Sequence, residues 1–235
     1  MDALRIAESI DGYRAACDAS PLNAAARARH LYQPSFLDEE ELQPLYRAMA
    51  EVPLMKKADV VVLHSSADNG YPHTRPNCIV CMPASYITSA SQAKLTETMC
   101  HEAMHIHQRR NPDLWAAACI HDGWWPAPKG QIPSRFRERC RLNPDTFSQQ
   151  QFWTWQTHYI PLPMFIREDS PTLDGMQIKW MDLRNSTLFP DPPRSFKERY
   201  GTPPQPEHPY ELLAVEFAAA KLNTEDLVVR KLQSF

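Results

Sequence analysis

Apolar residues return at helical spacing over positions 2–18, where Leu4, Ile6, Ala7, Ile10, Tyr13 and Cys17 share a face. The pattern predicts one N-terminal helix. A second helix is expected from about Asp38 to Glu51, with Asp38 as N-cap and acids in its first turn. Pro44 lies inside it and predicts a kink or a later start. The period then changes. Residues 58–63 (ADVVVL) are β-branched and continuously apolar, the pattern of a buried strand, and 77–82 (NCIVCM) read as a second. Asp68-Asn69-Gly70 between them is a turn signal.

The clearest helical stretch runs from Ser89 to Arg110. It has no Pro or Gly, and Leu95, Met99, Ala103 and Ile106 fall along one face. Asn111-Pro112 ends it, and a shorter helix over 113–120 is expected to follow. Residues 122–133 read as loop. Residues 152–159, 164–166 and 177–183 read as strands. The seven prolines from Pro190 through Pro209 predict irregular chain. Residues 209–221 form a helix pattern with Pro in its first turn, and Thr224 caps a last one. The order of elements predicts an α+β fold without internal repeats.

Composition sharpens this picture at one point. The 235 residues include 22 Pro and only 6 Gly, or about 9% and 3% against usual values of about 5% and 7%. Stiff, proline-punctuated loops are therefore expected around an ordinary core. The net charge of −3 supplies no basic field for nucleic acid or an anionic membrane. No apolar run reaches the ~18 residues of a membrane span, and the N-terminus builds no signal-peptide core. The six cysteines are read as free thiols, and the expected location is cytoplasmic.

One motif carries sharp chemistry. His101-Glu102-Ala103-Met104-His105 places two imidazoles four residues apart on the most convincing helix, hence on one face. Two such side chains can converge on one Zn²⁺, and the adjacent Glu102 can serve as general base. With 9 His and 14 Glu in the chain, the pattern is expected by chance only about 0.02 times. Other signals are weaker. Cys78 and Cys81 have metal-type spacing, but three apart on a strand they face opposite ways, and buried thiols are the plainer reading. Arg135, Arg137, Arg139 and Arg141 alternate and would form a cationic ridge on a strand, or a solvated surface. Trp124, Trp125, Trp153 and Trp155 fit a core or a substrate groove.

The motif resembles that of the zincin metallopeptidases. Gln108 and Asn111 stand where the metzincin extension would need Gly and His. The gluzincin branch takes its third ligand from a Glu on a later helix. Residues 208–217 (HPYELLAVEF) are similar to that helix in the lethal-factor type, with matches at Glu211, Ala214 and Phe217. The resemblance implies Glu211 as third metal ligand. Glu216 competes, but five residues on it diverges by about 140° around the helix. The acid that often follows the ligand by four, to orient a zinc His, is Val215 here. The resemblance also implies a Tyr as oxyanion donor before the Glu helix. Tyr200-Gly201 supplies a candidate, set against a packing role and against His158, Tyr159 and His208.

What the resemblance implies is a zincin-like fold over 1–235: a helical part over 1–55, strands and the metal helix over 56–110, then loops and the Glu helix over 111–235. A small sheet would cover the metal helix, and the second half would be largely helical. The implied activity is zinc-dependent hydrolysis of a peptide or protein, with His101, His105 and Glu211 as ligands and Glu102 activating the metal-bound water. Two alternatives stand beside it. One is a zinc amide- or peptide-modifying hydrolase with one dedicated substrate. The other is a non-catalytic zinc-stabilised binding module, against which the intact Glu102 counts. Oligomeric state is not encoded in any of these features.

Overall fold

The structure, a computed structural model, describes residues 3–219 except Ala28. The Thr224 cap and the end of the helix expected to Lys221 lie outside the described residues. The N-terminal helix is two helices, α1 (Ala3–Asp11) and α2 (Tyr13–Ala19), because Gly12 between them adopts φ 62°. That left-handed conformation breaks the helix and is cheap only for glycine. A short α3 (Pro21–Ala26) follows. α4 (Glu39–Ala50) begins where expected. Asp38 accepts from the Glu41 N–H while Glu41 reaches back to the Asp38 N–H, a capping box. Pro44 is carried inside this helix.

The first sheet joins β1 (Asp59–Leu63), β2 (His73–Arg75) and β3 (Ile79–Pro83) in the order β1-β3-β2. β1 and β3 are parallel, so Asp68-Asn69-Gly70 belongs to a crossover and not to a hairpin. The hairpin is β2–β3, turned by Asn77 and Cys78 at φ 64° and 59°. Cys78 therefore sits in the turn, ahead of the strand that carries Cys81. A short α5 (Ala84–Ser89) precedes α6 (Gln92–Arg110), which Ser91 caps by accepting from the Lys94 N–H. Leu95, Met99, Ala103 and Ile106 of α6 pack with Leu45 and Ala48 of α4 and Val80 and Met82 of β3. Burying each Leu, Ile or Met side chain there contributes about 1.5–3 kcal/mol.

α7 (Pro112–His121) leads to β4 (Trp124–Pro126), within the stretch read from sequence as loop. α8 (Ser134–Arg137) replaces the alternating cationic ridge, so the four arginines share no strand face. The remaining strands are β5 (Trp153–Trp155), β6 (Tyr159–Phe165), β7 (Met176–Asp182) and β8 (Thr187–Phe189). With β4 they form a five-stranded antiparallel meander, β4-β5-β6-β7-β8. Among the described residues the second half is thus built on a sheet and is not largely helical. β6 runs through Pro161 and Pro163, which masked it in the sequence. Both pair with β7 residues, but the Phe165 N–H, of the same parity, points the other way, to the Arg139 carbonyl. The missing proline donors therefore face the side where β6 has almost no strand partner.

α9 (Arg194–Tyr200) forms within the Pro-rich stretch read as irregular, and α10 (Pro209–Ala219) closes the described chain. Phe196 of α9, Trp124, Trp153, Trp155 and Trp180 of the meander, and Tyr210, Ala214 and Phe217 of α10 build a second core with Trp115 of α7. Three of the four tryptophans singled out in the sequence are core, and Trp125 is exposed. α6 is wedged between the two cores, with α4 and β3 on one flank and α10 on the other. The fold is mixed α+β with small sheets. Among the described residues no helix is long and apolar enough to cross a membrane.

Candidate metal centre

α6 and α10 meet at a polar contact inside this otherwise apolar packing. His101 and His105, one turn apart on α6, bring their Nε2 atoms to 3.0 Å. Glu211 enters from the first turn of α10 with Oε2 at 3.4 Å from each. A His208 cap sets this turn. Its Nδ1 accepts from the Tyr210 N–H at 3.1 Å, and its Nε2 donates to the Gln150 carbonyl at 2.8 Å. His105 and Glu211 are almost fully buried, and His101 is partly open. Among the described residues this is the one group of His, Cys, Asp or Glu side chains whose donor atoms all lie within 4.8 Å of one another.

These residues fit a small cation. A tetrahedral ion with bonds of about 2.0–2.1 Å holds its donors about 3.3–3.4 Å apart, close to the three separations found. Burial alone would raise the Glu211 carboxyl, yet His105 and His101 hold it well below the usual range. Burial likewise opposes charge on His105, but Glu211 and then Asp145 lift it to about 10. The cluster thus favours a positive charge at its centre.

Glu102 is one residue round the helix from His101 and lines the same cavity of about 670 Å³. It is 2% exposed, and its Oε2 is buried without a hydrogen-bond partner. Burial, with Asp145 and Glu211 nearby, pushes its carboxyl well above the usual range. A buried orphan acceptor costs about 1–3 kcal/mol. The cavity is walled by the start of α6, the segment 71–73, the loop 141–145, the chain before and along β7, the loop 204–207, and the Glu211–Val215–Ala218 face of α10. Arg141 pairs there with Glu207 at 3.2 Å.

Tyr200 is not part of this site. Its hydroxyl donates to Asp122 and accepts from Trp124 Nε1 at 3.0 Å, and its ring packs on Trp155 and Phe196. It lines a separate cavity on the Leu212–Leu213–Glu216 face of α10. The oxyanion role expected of it is corrected on this geometry: its hydroxyl is engaged by Asp122 and Trp124, and it lines a different cavity from Glu102 and Glu211. Glu216 is exposed on the same far face and turns away from the histidines. His158 stacks beside Tyr159, whose hydroxyl accepts from Arg184, and neither lines the metal cavity. His208 is occupied in the cap. His107 accepts from Trp115 Nε1 at 2.9 Å, off the metal face. None of the six cysteines is in a disulfide, and burial pushes Cys81 up to about 12.

Three polar residues of the site carry no signal in the sequence. Gln108 contacts His105, Asn143 contacts Glu211, and Asp145 accepts from the Thr74 N–H and hydroxyl at 2.6 and 2.7 Å. Gln108 was legible only as a mismatch to another motif, and the other two lie in an aperiodic loop. No protein-family model, curated protein or solved structure matches the chain.

Proposed function

We propose that the chain is a zinc-dependent metallopeptidase of the gluzincin kind. The observation that carries the proposal is the convergence of His101, His105 and Glu211 donor atoms within 4.8 Å of one another, beside a cavity lined by His101, Glu211 and Glu102, whose Oε2 has no hydrogen-bond partner. Two imidazoles and one carboxylate are a donor set typical of catalytic zinc with a position left open. The small mixed sheet before α6 and the Glu donor on a later helix support a zincin-like arrangement. The free thiols support a reducing compartment such as the cytoplasm.

Bound Zn²⁺ would supply Lewis acidity toward a carbonyl and a water made acidic enough to react near neutral pH. The protein supplies the rest. Glu102 lines the cavity with His101 and Glu211, and its Oε2 has no competing hydrogen bond, so the side chain can accept a proton from water and return it to the leaving amine. The buried setting raises its affinity for that proton. The cavity, at about 670 Å³, has room for a peptide segment.

Glu102→Gln tests the reading. It keeps side-chain shape and removes the base, so zinc content is expected to stay near one per chain while hydrolysis of a peptide-library substrate falls by about 10²–10⁴-fold. Near-wild-type turnover would refute the base assignment. A wild-type chain that takes up no zinc would refute the metal centre.

A further inference from the structure

His105 and Glu211 each have a second polar atom directed away from the cluster, and each meets a side-chain amide, Gln108 fully buried and Asn143 half-buried. His105 Nδ1 lies 2.9 Å from Gln108 Oε1, and Gln108 Nε2 donates to the Tyr210 carbonyl at 3.0 Å. On the other side, Asn143 Nδ2 donates to Glu211 Oε1 at 2.7 Å, while Asn143 Oδ1 accepts from the Asp145 N–H at 3.1 Å.

Both amides have one workable orientation. Turning Gln108 over would set its oxygen against the Tyr210 carbonyl oxygen. Turning Asn143 over would set its oxygen against the Glu211 carboxylate and its NH₂ against the Asp145 N–H. In each case two acceptors or two donors would face each other, at a cost of about 1–3 kcal/mol per unsatisfied group for the buried Gln108 and less for the half-buried Asn143. With Gln108 Oε1 fixed as acceptor, His105 must carry its proton on Nδ1. In the neutral ring that metal binding requires, Nε2 then presents its lone pair to the cluster. With Asn143 holding Glu211 Oε1, the other oxygen, Oε2, is the one directed at both histidines.

Resting on the metal-centre reading above, we propose that Gln108 and Asn143 are the positioning residues of the metal site. Gln108 sets the tautomer and ring plane of His105, and Asn143 sets Glu211 to bind through one oxygen. The two amides do the orienting work for which Val215 has no polar atom. They differ from a carboxylate partner in adding no charge. The donors are made less basic than a carboxylate would make them, and the ion retains more of its Lewis acidity. Gln108 has a further consequence. It links α6 to the backbone of α10, so the ring orientation of one ligand is tied to the helix that carries another.

The test uses the full chain and two probes. Zinc affinity is read by competition with a chromophoric chelator at neutral pH, and Co²⁺ loading is read by its visible absorption, which reports donor geometry. Gln108→Met and Asn143→Leu keep approximate shape and remove the contacts. Each is expected to weaken zinc binding by about 10–100-fold and to shift the Co²⁺ band. Gln108→Glu retains an acceptor for Nδ1–H and is expected to bind zinc more tightly than Gln108→Met. Zinc affinities close to wild type in both variants would overturn the proposal. So would weaker binding with an unchanged Co²⁺ band, which a general loosening of the fold would give, or Gln108→Met binding more tightly than Gln108→Glu. Circular dichroism of the chelated protein checks folding. If Gln108→Met fails that check, Asn143→Leu, on a loop, carries the test. A wild-type chain that binds neither ion would defeat the metal-centre reading itself, a result distinct from wild-type binding that the amides do not influence.

Discussion

Removing the metal is expected to loosen the contact between α6 and α10, and the size of the effect can be worked out. The donors come from two helices, with Glu211 106 positions after His105, so an ion held by all three cross-links distant parts of the chain. A ligand that binds only the folded state stabilises it by RT ln(1 + [L]/Kd), about 4 kcal/mol at a thousandfold excess over Kd. For a chain of this length 1 kcal/mol moves Tm by about 2–4 °C, so chelation is expected to lower Tm by about 8–16 °C. Zinc binding to the cysteines and histidines of the unfolded chain reduces this, which makes the range an upper estimate. The assay is a melt followed by circular dichroism, with excess zinc and with chelator. Glu211→Ala should abolish most of the difference. Glu216→Ala should leave it in place, because that carboxylate lies on the far face of α10. A wild-type Tm indifferent to zinc, or a zinc effect lost with Glu216 and kept without Glu211, would refute the reasoning.

Other outcomes follow from the same geometry. Tyr200→Phe removes the hydroxyl shared by Asp122 and Trp124, and should cost about 1–3 kcal/mol in urea unfolding while leaving zinc affinity unchanged. A large loss of zinc affinity would return Tyr200 to the site. Asp68 is buried and accepts from Tyr13 at 2.7 Å and from Arg14 at 3.2 Å, with Arg27 at 3.3 Å. Asp68→Asn leaves two cations short of a partner and should destabilise the chain by about 3–5 kcal/mol, and a loss under 1 kcal/mol would contradict this. His208 is buried, and that burial pushes it down to about 4. The unfolded chain takes up its proton first as pH falls through about 6.5, so in chelator stability should drop between about 6.5 and 4, by about 3 kcal/mol. A His208→Gln chain should show a flatter urea-midpoint profile over that interval, and an equally steep one would exclude His208 as the source.

What was legible in the sequence was local. The helix of His101 and His105 shows in its 3.6-residue period, and its apolar face, Leu95–Met99–Ala103–Ile106, is the face that packs on α4 and β3. Asp38 and Pro209 mark helix starts by rules that need only a few neighbouring residues. The misses share a cause: a local rule was overridden by tertiary pairing. Pro161 and Pro163 argue against a strand until the pairing shows that their missing donors face the open side of β6. The prolines around Arg194–Tyr200 hide a helix that the Phe196 contacts with Trp155 and Trp180 hold in place. Tyr200 stands out by its Tyr-Gly context ahead of the Glu helix, and such a context does not say which side of a helix the preceding chain approaches. Asn143 and Gln108 act through single hydrogen bonds to residues brought near by the fold, and no periodicity encodes that.

The proline excess gains a physical meaning from this. Metal donors have to be held within about 0.5 Å of a working geometry, and sites built on loops are usually looser than sites on helices. Here α6 and α10 supply the donors, but much of the remaining wall is loop. Pro72 lies beside His73, Pro144 lies between Asn143 and Asp145, and Pro204 lies ahead of Glu207, all lining the cavity. Each proline fixes one φ and removes conformations from the unfolded chain, worth about 0.4–1 kcal/mol where the native backbone accepts it. Pro144 matters most, because its carbonyl accepts from Arg109 of α6 at 2.5 Å while the neighbouring Asn143 contacts Glu211 on α10. One stiff residue thus holds the loop against both helices that carry the donors. A Gly there would keep the carbonyl and free the backbone, which separates loop stiffness from loop contact. Pro144→Gly is therefore expected to weaken zinc binding less than Asn143→Leu does. An equal or larger loss would mean that the rigidity of this loop, more than the amide it presents, sets the Glu211 carboxylate.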